Sequence, residues 1–234
     1  TVLIGIDYSL RPGTYYVRGA YQIPTSLKFY PILLKKIRVI EKYPKLRYRK
    51  PPVEEKETED ERAERERFRK ESKEKKAIIG SLKLSLGEMK RFSSPLNLPL
   101  NQLSISGKFG SKRWLDKFGN RRYHLGTDFR GLSGKDRHPL TVLAVNDGQV
   151  VLSSEYVVEG NLVVIDHGNG ISSESLHLAR AFVKNGDWVK RGQKIGVAGE
   201  SGSARGTHLH LTIKMDNGKT IVDPYKFLLF LGKN

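Results

Sequence analysis

From residue 103 onward the chain repeats one pattern, a short run of β-compatible residues followed by a glycine-centred break. The runs at 141–145, 149–153, 161–166, 171–178, 194–198 and 207–214 are rich in Val, Ile, Leu and Thr, and each has a strand's length rather than a helix's. Asp147-Gly148, Gly168-Asn169-Gly170, Asn185-Gly186-Asp187 and Asp216-Asn217-Gly218 supply the turns between them. Long amphipathic helices are absent from this half. The pattern predicts a mainly β domain built on an antiparallel sheet.

The first fifty residues also have β character, but less of it. Val2 to Asp7 is apolar, Arg11-Pro12-Gly13-Thr14 reads as a turn, and Tyr15-Tyr16-Val17 resumes the strand pattern. A second pair of short strands is expected at 26–30 and 37–40. This is little material for an independent β domain. Residues 1–50 are therefore read as a small β module, either incomplete or leaning on the rest of the protein.

Pro51-Pro52 ends that module, and the composition then changes abruptly. Between Glu54 and Lys76, 19 of 23 residues are charged, with acids crowding the first half and bases the second. That order suits the helix macrodipole, and Glu61/Arg65, Glu66/Lys70 and Glu71/Lys75 stand at i,i+4 spacing. With Phe68 as its lone large apolar residue, the stretch reads as a solvated helix or linker rather than a binding helix. The expected organisation is a β module at 1–50, a charged helix or linker at 51–91, and a larger domain at 92–234 entered through the Ser94-Pro95 and Leu98-Pro99 breaks.

Charge and cysteine content narrow the chemistry. The net charge is +17 over 234 residues, which favours an anionic partner such as a wall polymer, an anionic membrane surface or nucleic acid. No nucleic-acid motif accompanies the charge, so nucleic acid is the weakest of these. The chain has no cysteine, which excludes disulfides, thiol nucleophiles and Cys-ligated zinc. No apolar run approaches the ~18 residues of a membrane span. The chain starts at Thr1 rather than Met, which leaves room for an export signal or anchor upstream.

Histidine and carboxylate are then the available strong zinc ligands, and four of the six histidines fall in compact motifs. His208-Leu209-His210 lies in a β-compatible run, and its i,i+2 spacing puts both imidazoles on one strand face. His124-Leu-Gly-Thr-Asp128 offers an imidazole and a carboxylate, with Gly126 and Gly131 arguing for a loop rather than one helical turn. A catalytic zinc takes three protein ligands and keeps a fourth position open. His124, Asp128 and His210 would supply that set, leaving His177 and His208 as neighbouring or catalytic imidazoles able to move protons or stabilise an oxyanion. His138 and His167 are read as structural or merely exposed.

The order of these motifs carries a resemblance. His124-Leu-Gly-Thr-Asp128 is followed by Asn161-Leu-Val-Val-Ile-Asp166-His-Gly-Asn-Gly170, and then by His177-Leu178. Gly186-Asp-Trp-Val-Lys-Arg-Gly-Gln-Lys-Ile-Gly196, the run from Gly199 to His210, and Val222-Asp223-Pro224 complete the set. Together they resemble the lysostaphin/LytM-type zinc metallopeptidases, endopeptidases of the bacterial cell wall. The resemblance implies zinc on His124, Asp128 and His210, catalytic roles for His177 and His208, and a narrow groove for a peptide. More weakly, Leu3 to Asp7 and Pro12 to Tyr15 are similar to a small β module preceding the peptidase in some members.

Two departures bear on the groove rather than the metal. Ser175-Leu176 replaces the usual Tyr and small residue before the first catalytic His, and Thr207 replaces a common Pro before the pair. The implied protein is a monomeric zinc endopeptidase acting on peptidoglycan, periplasmic or extracellular. The competing reading is a wall-binding regulator that activates other hydrolases, as ligand-deficient relatives do; this chain keeps all five positions.

Overall fold

The computed structural model describes residues 13–22, 29–39, 58–81, 95–114, 121–131, 140–215, 218 and 220–232. The expected strand at Val2 to Asp7, the turn residues Arg11 and Pro12, the Pro51-Pro52 break, His138 and Asp216-Asn217 lie outside them. The chain divides into two compact units, residues 7–50 and the remainder.

The smaller unit contains an antiparallel ribbon of β1 (Gly13–Gln22) and β2 (Phe29–Val39), with a register shift between Val17 and Arg18. Two expectations need correction here. Gly13 and Thr14 belong to the strand rather than to a turn, and the two strands expected at 26–30 and 37–40 are one continuous β2. Pro31 falls within β2, and a two-stranded ribbon leaves each strand an unpaired edge, where a missing N–H costs nothing.

In the larger unit the charged segment is a helix, α1 (Glu59–Ser81). After it come β3 (Ser104–Gly107), β4 (Lys112–Trp114), β5 (Arg121–Tyr123), β6 (Thr127–Arg130), β7 (Thr141–Leu143) and β8 (Gly148–Tyr156). The chain continues through β9 (Gly160–Asp166), β10 (Ser172–Ala181), β11 (Trp188–Val189), β12 (Lys194–Ala198), β13 (Leu209–Met215) and β14 (Thr220–Val222). It closes with a short helix, α2 (Pro224–Gly232). Strands β11-β8-β9-β10-β13-β6-β3 form one sheet in that order, with β12 beside β10, β7 beside β12, and β14 beside β13. Every pairing is antiparallel, as the glycine-turn pattern predicts.

Alternation along the central strands sorts residues between two apolar layers. On β13, Leu209, Leu211, Ile213 and Met215 enter the main core, so His210 and Thr212 stand on the opposite face. β9 is buried on both faces: Val163 and Ile165 join the main core, while Leu162 and Val164 join a smaller cluster with Leu152 and Leu176. The histidine face of the sheet therefore continues into an apolar floor. α2, which no periodicity foretold, adds Leu228 to the core. Its start is nonetheless written in Asp223-Pro224, where Asp223 Oδ1 accepts from Lys226 N–H at 3.3 Å and Pro224 takes the first helical position.

His167, expected to be structural or exposed, is structural. It is 1% exposed in the bend between β9 and β10. Its Nδ1–H donates to the Asp147 carbonyl at 2.8 Å, and Nε2 accepts from the Ser173 hydroxyl at 2.8 Å. Burial, which disfavours the charged ring, pushes its pKa down to about 4. Because the unfolded chain binds the proton first, His167 contributes stability that is fully present above the ordinary imidazole value. That contribution is lost as pH falls from about 6.5 toward 4, up to about 3 kcal/mol in all. Urea unfolding followed across this range should show stability falling with acidity, and His167→Gln should flatten the slope at the cost of a lower plateau.

Candidate metal centre and its flanking histidines

His124 and Asp128 were expected in a loop. The structure corrects half of that: His124 lies in the link after β5, but Asp128 is on β6 and pairs in register with His210 of β13. Adjacent strands thus put the carboxylate beside the second imidazole. Gly126 makes the approach possible, since a Cβ there would overlap His210 Nε2 and the Leu211 carbonyl.

Hydrogen bonds settle the tautomers of both imidazoles. The Lys108 carbonyl can only accept, so His124 Nδ1, 2.9 Å away, carries a hydrogen and Nε2 bears a lone pair. Thr212 donates its hydroxyl to the Leu125 carbonyl at 3.2 Å and so accepts from His210 Nε2–H at 3.2 Å. That leaves His210 Nδ1 with a lone pair. His124 Nε2, His210 Nδ1 and Asp128 Oδ1 then converge at 3.0, 3.0 and 2.9 Å from one another.

Three acceptors this close repel unless a cation or protons lie among them. Burial works to raise the Asp128 carboxyl, but the groups around it, the Arg113 guanidinium on Oδ2 among them, outweigh it and hold the pKa well below the usual carboxylate range. Burial also lowers His210, against the pull of Asp128, so a proton on that ring is disfavoured. A carboxylate with two imidazoles, each ring oriented by a second hydrogen bond, is a donor set that could hold a divalent metal. All three ligand atoms lie within 4.8 Å of one another.

Two more imidazoles border this group. His177 lies 5.9 Å from the His210 ring and 5.0 Å from the His208 ring, centroid to centroid. His208 immediately precedes β13, bridging to Gly199, with Nε2 3.7 Å from Asp128 Oδ1. Each donates Nδ1–H to a backbone carbonyl, His177 to Ser201 at 2.9 Å and His208 to Gly206 at 2.7 Å. Both Nε2 atoms therefore bear lone pairs. Burial and the neighbouring His210 and His208 push the His177 pKa down to about 4, so its ring is neutral at pH 7 and able to accept a proton.

Strand alternation alone does not bring His177 here. Its φ is +61°, a left-handed conformation uncommon for histidine, and it sits where the β10–β9 register shifts between Ser175 and Leu178. One extra residue in β10 turns the ring toward His208 and His210, a bulge that re-aims a side chain. Backbone bonds from His177 N to Glu159 O and from Gly199 N to His177 O, both 2.9 Å, hold the strained residue in place.

Arg113 was not singled out from the sequence. On β4, its guanidinium bonds Asp128 Oδ2 at 2.5 Å, leaving Oδ1 for the ligand cluster. Gly107 leaves the space, since a Cβ there would overlap both groups. Lys112-Arg113-Trp114 has no spacing that marks it, so only the fold reveals the partner. Arg113→Ala should weaken affinity for a divalent metal by about 10- to 100-fold in competition with a chelator, with partial recovery in Arg113→Lys.

Residues 122–224 match the model for peptidase family M23. This stretch is a peptidase M23 domain. The chain is 36% identical over 113 residues to the peptidoglycan DD-endopeptidase ShyB of Vibrio cholerae, covering 48% of this chain and 25% of that protein. It is 42% identical over 87 residues to ShyA, a peptidoglycan DD-endopeptidase of the same organism, covering 37% of this chain and 19% of that protein. The chain thus spans a quarter or less of these relatives. A crystal structure of a candidate M23 peptidase from Pseudomonas aeruginosa superposes with a TM-score of 0.57 at 25% identity, over 98% of this chain and 78% of the other.

Proposed function

We propose that the protein is a zinc-dependent endopeptidase that cleaves the peptide stems or cross-links of bacterial peptidoglycan. The observation that carries this reading is the convergence of three lone-pair atoms from His124, Asp128 and His210, flanked by two imidazoles whose Nδ1–H groups are each fixed by a backbone carbonyl. Bound zinc would supply Lewis-acid polarisation of the scissile carbonyl and would acidify a water. His177 Nε2 takes the proton of the attacking water and returns it to the leaving amine. His208 Nε2, when protonated, donates to the developing oxyanion. The resemblance to DD-endopeptidases supports the substrate class, and a wall substrate supports a location in the periplasm or outside the cell.

The domain bounds at 1–50, 51–91 and 92–234 belong to the same proposal, as does a monomer acting alone. The +17 charge supports an additional hold on an anionic wall polymer or membrane surface; sacculus binding that salt does not weaken would remove that part. Mass spectrometry of defined muropeptides treated with the zinc-loaded protein tests the central claim. A single class of cut amide bond is expected. Binding to sacculi without any cleavage would overturn the enzyme and leave a non-catalytic regulator.

A further inference from the structure

Helix α1 is not the solvated rod its composition suggests. Arg65, Phe68, Glu71, Ser72 and Lys75 are partly buried while most of their neighbours are exposed. Their three- and four-residue spacing is that of one helix face. Glu71 and Lys75, spaced to pair with each other, both reach the turn joining β8 to β9. Glu71 Oε2 accepts from Val157 N–H at 2.7 Å while its Oε1 accepts from Arg67 at 3.0 Å. Lys75 Nζ pairs with Glu159, and the two side chains are only 17% and 12% exposed.

The other side of this turn faces the histidines. The Glu159 carbonyl accepts His177 N–H at 2.9 Å, and the Val158 carbonyl accepts from both the N–H and the hydroxyl of Ser203 at 3.0 Å. The Ser201 hydroxyl accepts from Asn161 N–H at 3.0 Å, and the Ser201 carbonyl takes Nδ1–H of His177 at 2.9 Å. The backbone N–H and the ring N–H that fix His177 therefore end on two segments, 157–161 and 201–203, tied to each other. Helix α1 grips the first of them. A residue at φ +61° keeps that conformation only while its surroundings over-determine it.

We propose that α1 is a clamp on the β8–β9 turn, and that Glu71 and Lys75 are positioning residues for the His177 imidazole. They touch neither substrate nor metal ligand. Their effect passes through the turn to the two hydrogen bonds that set the ring.

The kinetic part rests on the endopeptidase reading, so the experiment carries a readout free of it. In the full chain, Glu71→Ala/Lys75→Ala should lower kcat on a defined muropeptide by about 10- to 100-fold, the scale of an ångström-level misplacement. KM and zinc content should stay as in the wild type. Lys75→Glu alone should also lower kcat, and adding Glu159→Lys to it should restore most of that loss. The ¹⁵N resonances of the His177 ring should shift from a single tautomer toward a mixture in the double variant. Were the wild type to cleave nothing, those ring resonances would still test the clamp. Unchanged His177 resonances with unchanged kcat would reduce α1 to a stability element, seen only as a lower Tm. A rise in kcat would make the helix a brake, and either result overturns the proposal.

Discussion

His210→Ala is expected to leave a folded domain that no longer retains stoichiometric zinc and cleaves defined muropeptides at least about a thousandfold more slowly. A metal supplying several kcal/mol to the reaction, at 1.36 kcal/mol per factor of ten, accounts for that magnitude. The fold should survive because the apolar side of β13, with Leu209, Leu211 and Ile213, is untouched. Removing one imidazole also lessens the crowding of lone pairs around Asp128, which keeps its bond to Arg113. Metal analysis after dialysis, read beside thermal unfolding of the metal-free forms, checks it. Wild-type zinc content in His210→Ala would discard the ligand assignment. His208→Ala should behave differently, keeping the metal while losing rate.

How much of this was legible depended on what kind of signal each element carries. Strand β12 falls at 194–198, where the apolar run predicts it, because glycine turns bracket a short buried strand. β4 and β5 carry Lys112-Arg113-Trp114 and Arg121-Arg122-Tyr123, and a short two-stranded ribbon of that composition shows no alternation to read. The start of α2 was present in Asp223-Pro224 but stood only as a family motif. Among candidate site residues, types and order were visible because histidine is rare, six in 234 residues, and Asp128 stands four residues from one of them. The bulge that turns His177 was not, since a positive φ on a non-glycine residue leaves no mark on composition. Arg113 and the docking of α1 were hidden for one shared reason. Both act through charged groups whose partners lie far off in sequence, and charge alone does not distinguish a solvated face from a buried pair.

His177→Ala is expected to keep zinc at wild-type stoichiometry and lose about 10²- to 10⁴-fold in kcat, the range ascribed to a positioned general base. KM should change little, because the ring contributes a proton acceptor rather than a binding surface. The substitution has a backbone cost that must be separated from chemistry, as alanine tolerates φ +61° poorly. Asparagine visits the left-handed region readily and retains a polar group, yet cannot take a proton near neutral pH. His177→Asn should therefore match the wild type in Tm more nearly than His177→Ala while being as slow. If His177→Asn recovered most of the rate, the ring would be a shape element and His208 the better candidate for the base. If both were slow with zinc intact, the histidines of the site would divide their labour as the geometry suggests. His210 would then hold the ion, and the strained His177, neutral because burial holds its pKa near 4, would move the proton.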